Sequence, residues 1–388
     1  MDNALIATGT AVCRLIGQFT TQNVVTNKSD YPHIRAMVRF AKMHHIETLL
    51  YASMKKSGFN DEELGDLPEI AERLSFCQIK SDRLAAKLSE KFSNLGIEHM
   101  ILKGIEFSKY YPSGLLRTSS DIDVYMAKNN AEKIARSLEA QGFEQIENDE
   151  NGISLIKKPY AHIEFHFSFS ALTKQQTKFM ENMVENAPHK SRFRKSFTDE
   201  ENIIYALVHL YKHFSHNGAG VRMLLDINIM MKYGNYDRTA LVNNIKLIGM
   251  ERFFNSVCEI SEYLFDGKEL DERLVPALEF FLNSGSFGTN EAYLTVNAAK
   301  HSGKASKMKN YLKNEIGFSN ENIKNKYPLA KKHPILVPYF HMHRVVSGLI
   351  HIKDVLSRVK SDSKVVTSSD GEEQMVKIME VMGIKIKD

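Results

Sequence analysis

Apolar positions recur at helical spacing through about the first ninety residues. MVRFAKMHHIETLLYASMKK predicts one helix closed by Gly58, and PEIAERLSFCQIKSDRLAAKLSEKFSNLG a longer one ending at Gly96. The pattern then shortens. HMILKG (99–104) is an apolar run ending in glycine, which suits a buried strand, and IEFSKYY suits a short helix before Pro112 and Gly114 break the chain. DIDVYM (121–126) alternates polar and apolar residues as a strand does. NNAEKIARSLEAQG predicts a helix with an asparagine as N-cap and Gly142 as its stop. FEQIEN, ISLIKK and HIEFHFSF predict three further strands, with NDENG as a turn between the first two.

Helical spacing returns after about residue 170. The stretch 198–234 predicts two helices separated by a loop at 216–220. RFFNSVCEISEYLF and YLTVNAAKHSGKASKMKNYLKNEI are helical in pattern, as is HPILVPYFHMHRVVSGLIHIKDVLSRVK after Pro338. The expected organisation is a helical region over 1–93, a small mixed-sheet core over 94–170, a helical domain over 171–360 and a linker with a terminal tail over 361–388. The fold class is therefore α+β.

Composition changes this picture little. With 43% hydrophobic and 25% charged residues the chain is ordinary for a globular protein, and a formal charge of +4 is mild for 388 residues. A nucleic-acid partner needs a localised basic face, and the Lys-rich stretches KHSGKASKMKNYLK and KNKYPLAKKH read first as solvated faces. Three widely spaced cysteines fit no disulfide or zinc framework and suit a reducing cytoplasm. The absence of a long apolar run predicts no membrane span.

Three features carry candidate chemistry. Asp121 and Asp123, two apart on a strand, share a face, and paired carboxylates favour a cation between them. The same DxD also fits a turn or a solvated edge. Upstream lies LKG, where Gly104 at a strand-to-helix turn would let backbone amides approach a phosphate, Lys103 adds charge and Arg117 a forked donor. The plainer alternative is a turn glycine with two surface cations. Downstream, His162, Glu164 and His166 alternate on one strand face. If that strand neighbours the first, Glu164 becomes a third carboxylate able to take a proton from an attacking hydroxyl. The two imidazoles also fit a transition-metal site. On the later helix His209 and His213 share a face, His216 would extend it only if the helix continued, and Arg222 and Asp226 are spaced as an ion pair.

LKGIEFSKYYPSGLLRTSSDIDVYM followed by HIEFHFSF resembles the bacterial uncharacterised nucleotidyltransferase family of the DNA polymerase β-like superfamily. The matching residues are Leu102, Lys103, Gly104, Tyr111, Pro112, Arg117, Asp121, Ile122, Asp123, Glu164 and His166, and VHLYKHFSHNGAGVRMLLDINIMM is similar to the helical region that follows. The resemblance runs from about residue 30 to 235. It implies a nucleotidyltransferase core with Asp121, Asp123 and Glu164 as catalytic metal ligands, and Mg²⁺ or Mn²⁺, two ions, as cofactor. A nucleoside monophosphate would pass from an NTP such as ATP to an acceptor, small molecule, protein or nucleic acid, with pyrophosphate released. Lys103, Gly104, Arg117, His166, His213 and Arg222 would hold substrate. The superfamily's Gly-Ser pair is replaced here by Gly104-Ile105, which puts the usual triphosphate grip in question and offers Lys103 as its substitute. Two alternatives remain: a degenerate core that binds a nucleotide or a partner without turnover, and a nucleic-acid-processing enzyme.

Overall fold

The protein is seen here as a computed structural model describing residues 3–22, 27–31, 33–159, 161–169, 172–286 and 288–300, and then 323, 327, 329–330, 333–350, 362–363, 365–366 and 368–384. It divides into two compact units. The first joins 1–213 to 219–287, and the second joins 214–218 to 288–388.

In the first unit, helices α1 (Asn3–Gly17), α2 (Ile34–His44), α3 (Glu47–Lys56) and α4 (Leu67–Asn94) precede the sheet. The single helix expected over 37–56 is two, because His45 takes a left-handed conformation at φ 52° and breaks the run between α2 and α3. Next come β1 (His99–Leu102), α5 (Gly104–Ser108), β2 (Ile122–Met126), α6 (Lys128–Glu139), β3 (Glu144–Asn148), β4 (Gly152–Lys157), β5 (Ala161–His166) and α7 (Lys174–Asn186). No asparagine caps α6. Asn129 and Asn130 lie inside its first turn, and Ala127 stands at the cap without a side-chain bond.

The return to helices at 170 needs a correction. Two short strands, β6 (His189–Ser191) and β7 (Arg194–Lys195), extend the sheet on its far side, and their charged sequences carry no apolar alternation to betray them. The sheet runs β3-β4-β5-β2-β1-β7-β6. β2 is antiparallel to β1 and parallel to β5, and β1 is parallel to β7. Helices α8 (Asp199–Phe214), α9 (Val221–Tyr233), α10 (Arg238–Leu247), α11 (Glu251–Asp266) and α12 (Val275–Ser284) follow. The fold is α+β, a mixed sheet among helices.

Period-two alternation decides which side of the sheet is core. Ile122, Val124 and Met126 of β2, Ile153 and Leu155 of β4, and Ile163 and Phe165 of β5 form one buried cluster with α4 (Leu88, Phe92) and α6 (Ile134, Leu138). The residues between them, Asp123, Ser154, Glu164 and His166, are thereby sent to the opposite face. At about 25 cal/mol per Å² of apolar surface, burying this cluster is what holds the polar set in place.

In the second unit, α13 (Asn290–Ala299) packs near a helix over Ser369–Met382, with Leu294 and Val366 sharing a cluster. A helix over Val337–Ile350 contributes Val337 to a second cluster with Ile323 and Ala330. KHSGKASKMKNYLK after Lys300 and most of KNKYPLAKKH lie outside the described residues, as does the stretch 351–361. Among the described residues no helix is long and apolar enough to cross a membrane.

Candidate active site

A cleft of about 430 Å³ opens on the polar face of the sheet, within the first unit. Its floor includes Lys103, Asp121, Glu164 and His166. Tyr205, His209, Lys212 and His213 from α8 and Arg222 and Asp226 from α9 wall it, and Glu147 and Asp149 reach it from the β3–β4 hairpin.

Parallel pairing of β2 with β5 sets Asp123 directly across from Glu164. Asp123 is 1% exposed. Its Oδ1 lies 2.8 Å from both His166 Nε2 and Lys103 Nζ. Its Oδ2 is buried and receives no hydrogen bond. A buried acceptor without a donor costs about 1–3 kcal/mol or more when charged, so that oxygen calls for a cation. Burial pushes the Asp123 carboxyl up, but Lys103 and then His166 outweigh it and hold the group well below the usual carboxylate range. Glu164 goes the other way, raised first by burial and then by Asp123 and Asp121. One ligand atom from each of Asp123, Glu164 and His166 lies within 4.8 Å of the others, so these residues fit a divalent ion.

Asp121 lines the same cleft without joining that cluster. It precedes β2, and its Oδ1 accepts from the hydroxyls of Ser119 at 2.9 Å and Ser120 at 3.3 Å. His162 is drawn aside too, with Nε2 2.7 Å from Ser154 Oγ. Thus of the two histidines in HIEFH, the structure brings His166 alone into the cluster.

Lys103, not Gly104, has the positive φ, at 45°. Gly104 is buried at the start of α5, and a Cβ there would meet only ordinary contacts, the nearest being Ser119 Oγ at 3.8 Å. Arg117 is already engaged. Its Nε and Nη2 each donate to Asp226 across 2.9 Å, and Tyr111 donates to the same carboxylate at 2.7 Å. The ion pair expected between Arg222 and Asp226 is therefore replaced, because Asp226 faces Arg117 instead. Arg222 donates from Nη1 to the Thr118 carbonyl at 3.0 Å, and its buried Nε makes no hydrogen bond. Burial, then Arg117, lowers its affinity for a proton.

The family described as uncharacterised nucleotidyltransferase matches residues 32–266, more than half of the chain. The chain belongs to that family. The match spans the whole sheet and the cleft-lining helices α8 and α9 of this nucleotidyltransferase-family protein, so a nucleotide is the substrate class the family implies. No curated protein matches the chain.

On α8 the cleft face is Tyr205, His209, Lys212 and His213, spaced i, i+4, i+7 and i+8. Helical periodicity singles out the two histidines, and the same periodicity would have found Tyr205 and Lys212. The rings of His209 and His213 are 4.5 Å apart, whereas His216 lies beyond the end of the helix. Glu147 and Asp149 left no signal in the sequence beyond their place in a turn-rich hairpin.

Proposed function

We propose that the chain is a metal-dependent nucleotidyltransferase that moves a nucleoside monophosphate from an NTP to an acceptor. The observation that carries this reading is the pairing of Asp123 with Glu164 across parallel strands, with a buried carboxylate oxygen left without a donor. In the transfer, an acceptor oxygen attacks the α-phosphorus, the bond to the bridging oxygen breaks, and pyrophosphate leaves. A divalent ion at Asp123 and Glu164 supplies charge neutralisation to the phosphoryl oxygens. Glu164, whose affinity for a proton is raised by its surroundings, accepts the acceptor's proton. Asp121, which lines the same cleft, would be the further carboxylate to hold an ion brought in with the substrate phosphates. Lys103 and Arg222 hold phosphate oxygens, and His213 lines the approach. Arg117 serves them from behind by fixing Asp226 and Tyr111.

Asp123→Asn keeps size and shape but removes the charge. It is expected to lower nucleotidyl transfer about a thousandfold, since metal stabilisation of the moving phosphoryl group is worth several kcal/mol and each 1.36 kcal/mol is tenfold. Pyrophosphate release and label transfer from α-labelled NTPs, run over a panel of acceptors, measure it. A variant that keeps more than about a tenth of the wild-type rate places the chemistry elsewhere. A second reading, nucleotide binding without turnover, draws on Asp121, which two serines hold outside the cluster. Metal-dependent nucleotide binding with no pyrophosphate from any acceptor would favour it.

A further inference from the structure

The cluster has a donor set unlike an all-carboxylate magnesium site. Mg²⁺ is held by charge: it takes oxygen ligands and keeps several waters. Here that attraction is weakened. With Asp123 and Glu164 ionised, the ammonium of Lys103, 2.8 Å from Asp123, cancels half of their formal charge. Asp121, the further carboxylate of the cleft, accepts from Ser119 and Ser120 and is not one of the clustered ligands. What the site offers in exchange is a nitrogen. His166 Nε2 lies 2.8 Å from Asp123 Oδ1 and 3.6 Å from Glu164 Oε2. An imidazole adds little to the binding of Mg²⁺ and much to that of first-row transition ions. The unpartnered Oδ2 of Asp123, almost wholly buried, shows that the cluster is built around something.

We infer that Asp123, Glu164 and His166 form a site for a first-row transition ion such as Mn²⁺, with His166 as a direct nitrogen ligand. This rests on the reading that the cluster binds a divalent cation, and it adds which one. His162 Nε2, 2.7 Å from Ser154 Oγ and 3.5 Å from Glu164 Oε1, lies outside the three-residue cluster. Lys103 fits the same picture: paired with Asp123 at 2.8 Å, it lowers the site's attraction for ions bound by charge alone.

The test uses the full chain without nucleotide, titrated calorimetrically with Mn²⁺ and with Mg²⁺, and pulsed electron paramagnetic resonance of the Mn²⁺ form. Mn²⁺ is expected to bind at least about tenfold tighter than Mg²⁺. The Mn²⁺ form should show modulation from a directly bonded ¹⁴N. His166→Ala and His166→Gln should both abolish that modulation and bring the two affinities within about threefold, because only oxygen ligands then remain. His162→Ala should keep the modulation. Melting curves of each variant show that it is folded. Equal wild-type affinities for the two metals, an absent nitrogen signal, or a signal that survives in both His166 variants overturns the inference and leaves the metal-dependent reading standing. If wild type binds neither metal, both fall.

Discussion

At the scale of single residues, the cleft holds two arginines with opposite situations. Arg117 is buried, bidentate to Asp226, and 5.2 Å above the Phe107 ring. Removing it strands a buried carboxylate, so Arg117→Ala should cost about 3–5 kcal/mol of stability in urea unfolding. Arg222 lacks a carboxylate partner among the described residues, and its Nε is bare. Arg222→Ala should leave the unfolding midpoint nearly unchanged and weaken calorimetric NTP binding about tenfold or more, as loss of a charge-assisted phosphate contact does. The reverse pattern, with Arg222 structural and Arg117 neutral to folding, would overturn this division. Sequence spacing pointed to Arg222 with Asp226 because four residues make one helical turn. The partner actually chosen sits 109 positions away, a distance at which no local pattern speaks.

Elements show where local pattern does speak. β2 and β5 were legible because each alternates strictly, and the alternation assigns Asp123, Glu164 and His166 to one face once the strands are neighbours. That they are neighbours, and parallel, is set by the β3–β4–β5 meander folding back beside β2, which the sequence leaves open. The β1–α5 turn was legible as a turn, but not its strained residue, since glycine is the usual occupant of positive φ and the chain puts Lys103 there at φ 45° and ψ −127°. Such a backbone costs about 1–3 kcal/mol and is held by what surrounds it, here the ion pair with Asp123. Lys103→Ala loses the pair and keeps the strain. Lys103→Gly loses the pair and relaxes it. The glycine variant should therefore be the more stable by about 1 kcal/mol in denaturant unfolding, against glycine's ordinary disadvantage. If alanine is the more stable, the turn is not strained.

At the scale of the whole molecule, several histidines are held neutral inside it. His44 is completely buried, near the Leu282 carbonyl through Nε2 and the Val221 amide through Nδ1, so it joins α2, α12 and α9. Burial, against the pull of the Leu282 bond, lowers its pKa from 6.5 to about 4. Burial likewise depresses His209 and His99. Unfolded chains take these protons near pH 6.5 while the folded one refuses them. Stability is thus complete above about pH 6.5 and declines as the pH falls toward 4, with about 3 kcal/mol attributable to His44. Urea unfolding at pH 7.5 and 4.5 measures the decline, and His44→Gln should make it shallower. A chain equally stable at both values contradicts the assignment. The two-sided sheet has a consequence for how such proteins can diverge. Inserting one residue within β5, ahead of Ile163, would rotate Ile163 and Phe165 into the cleft and Glu164 and His166 into the oily interior, so the chain would fail to fold before it failed to react. Lineages of this family are then free to lengthen loops, but the reading frame of β5 is guarded by its greasy side as firmly as by its reactive one.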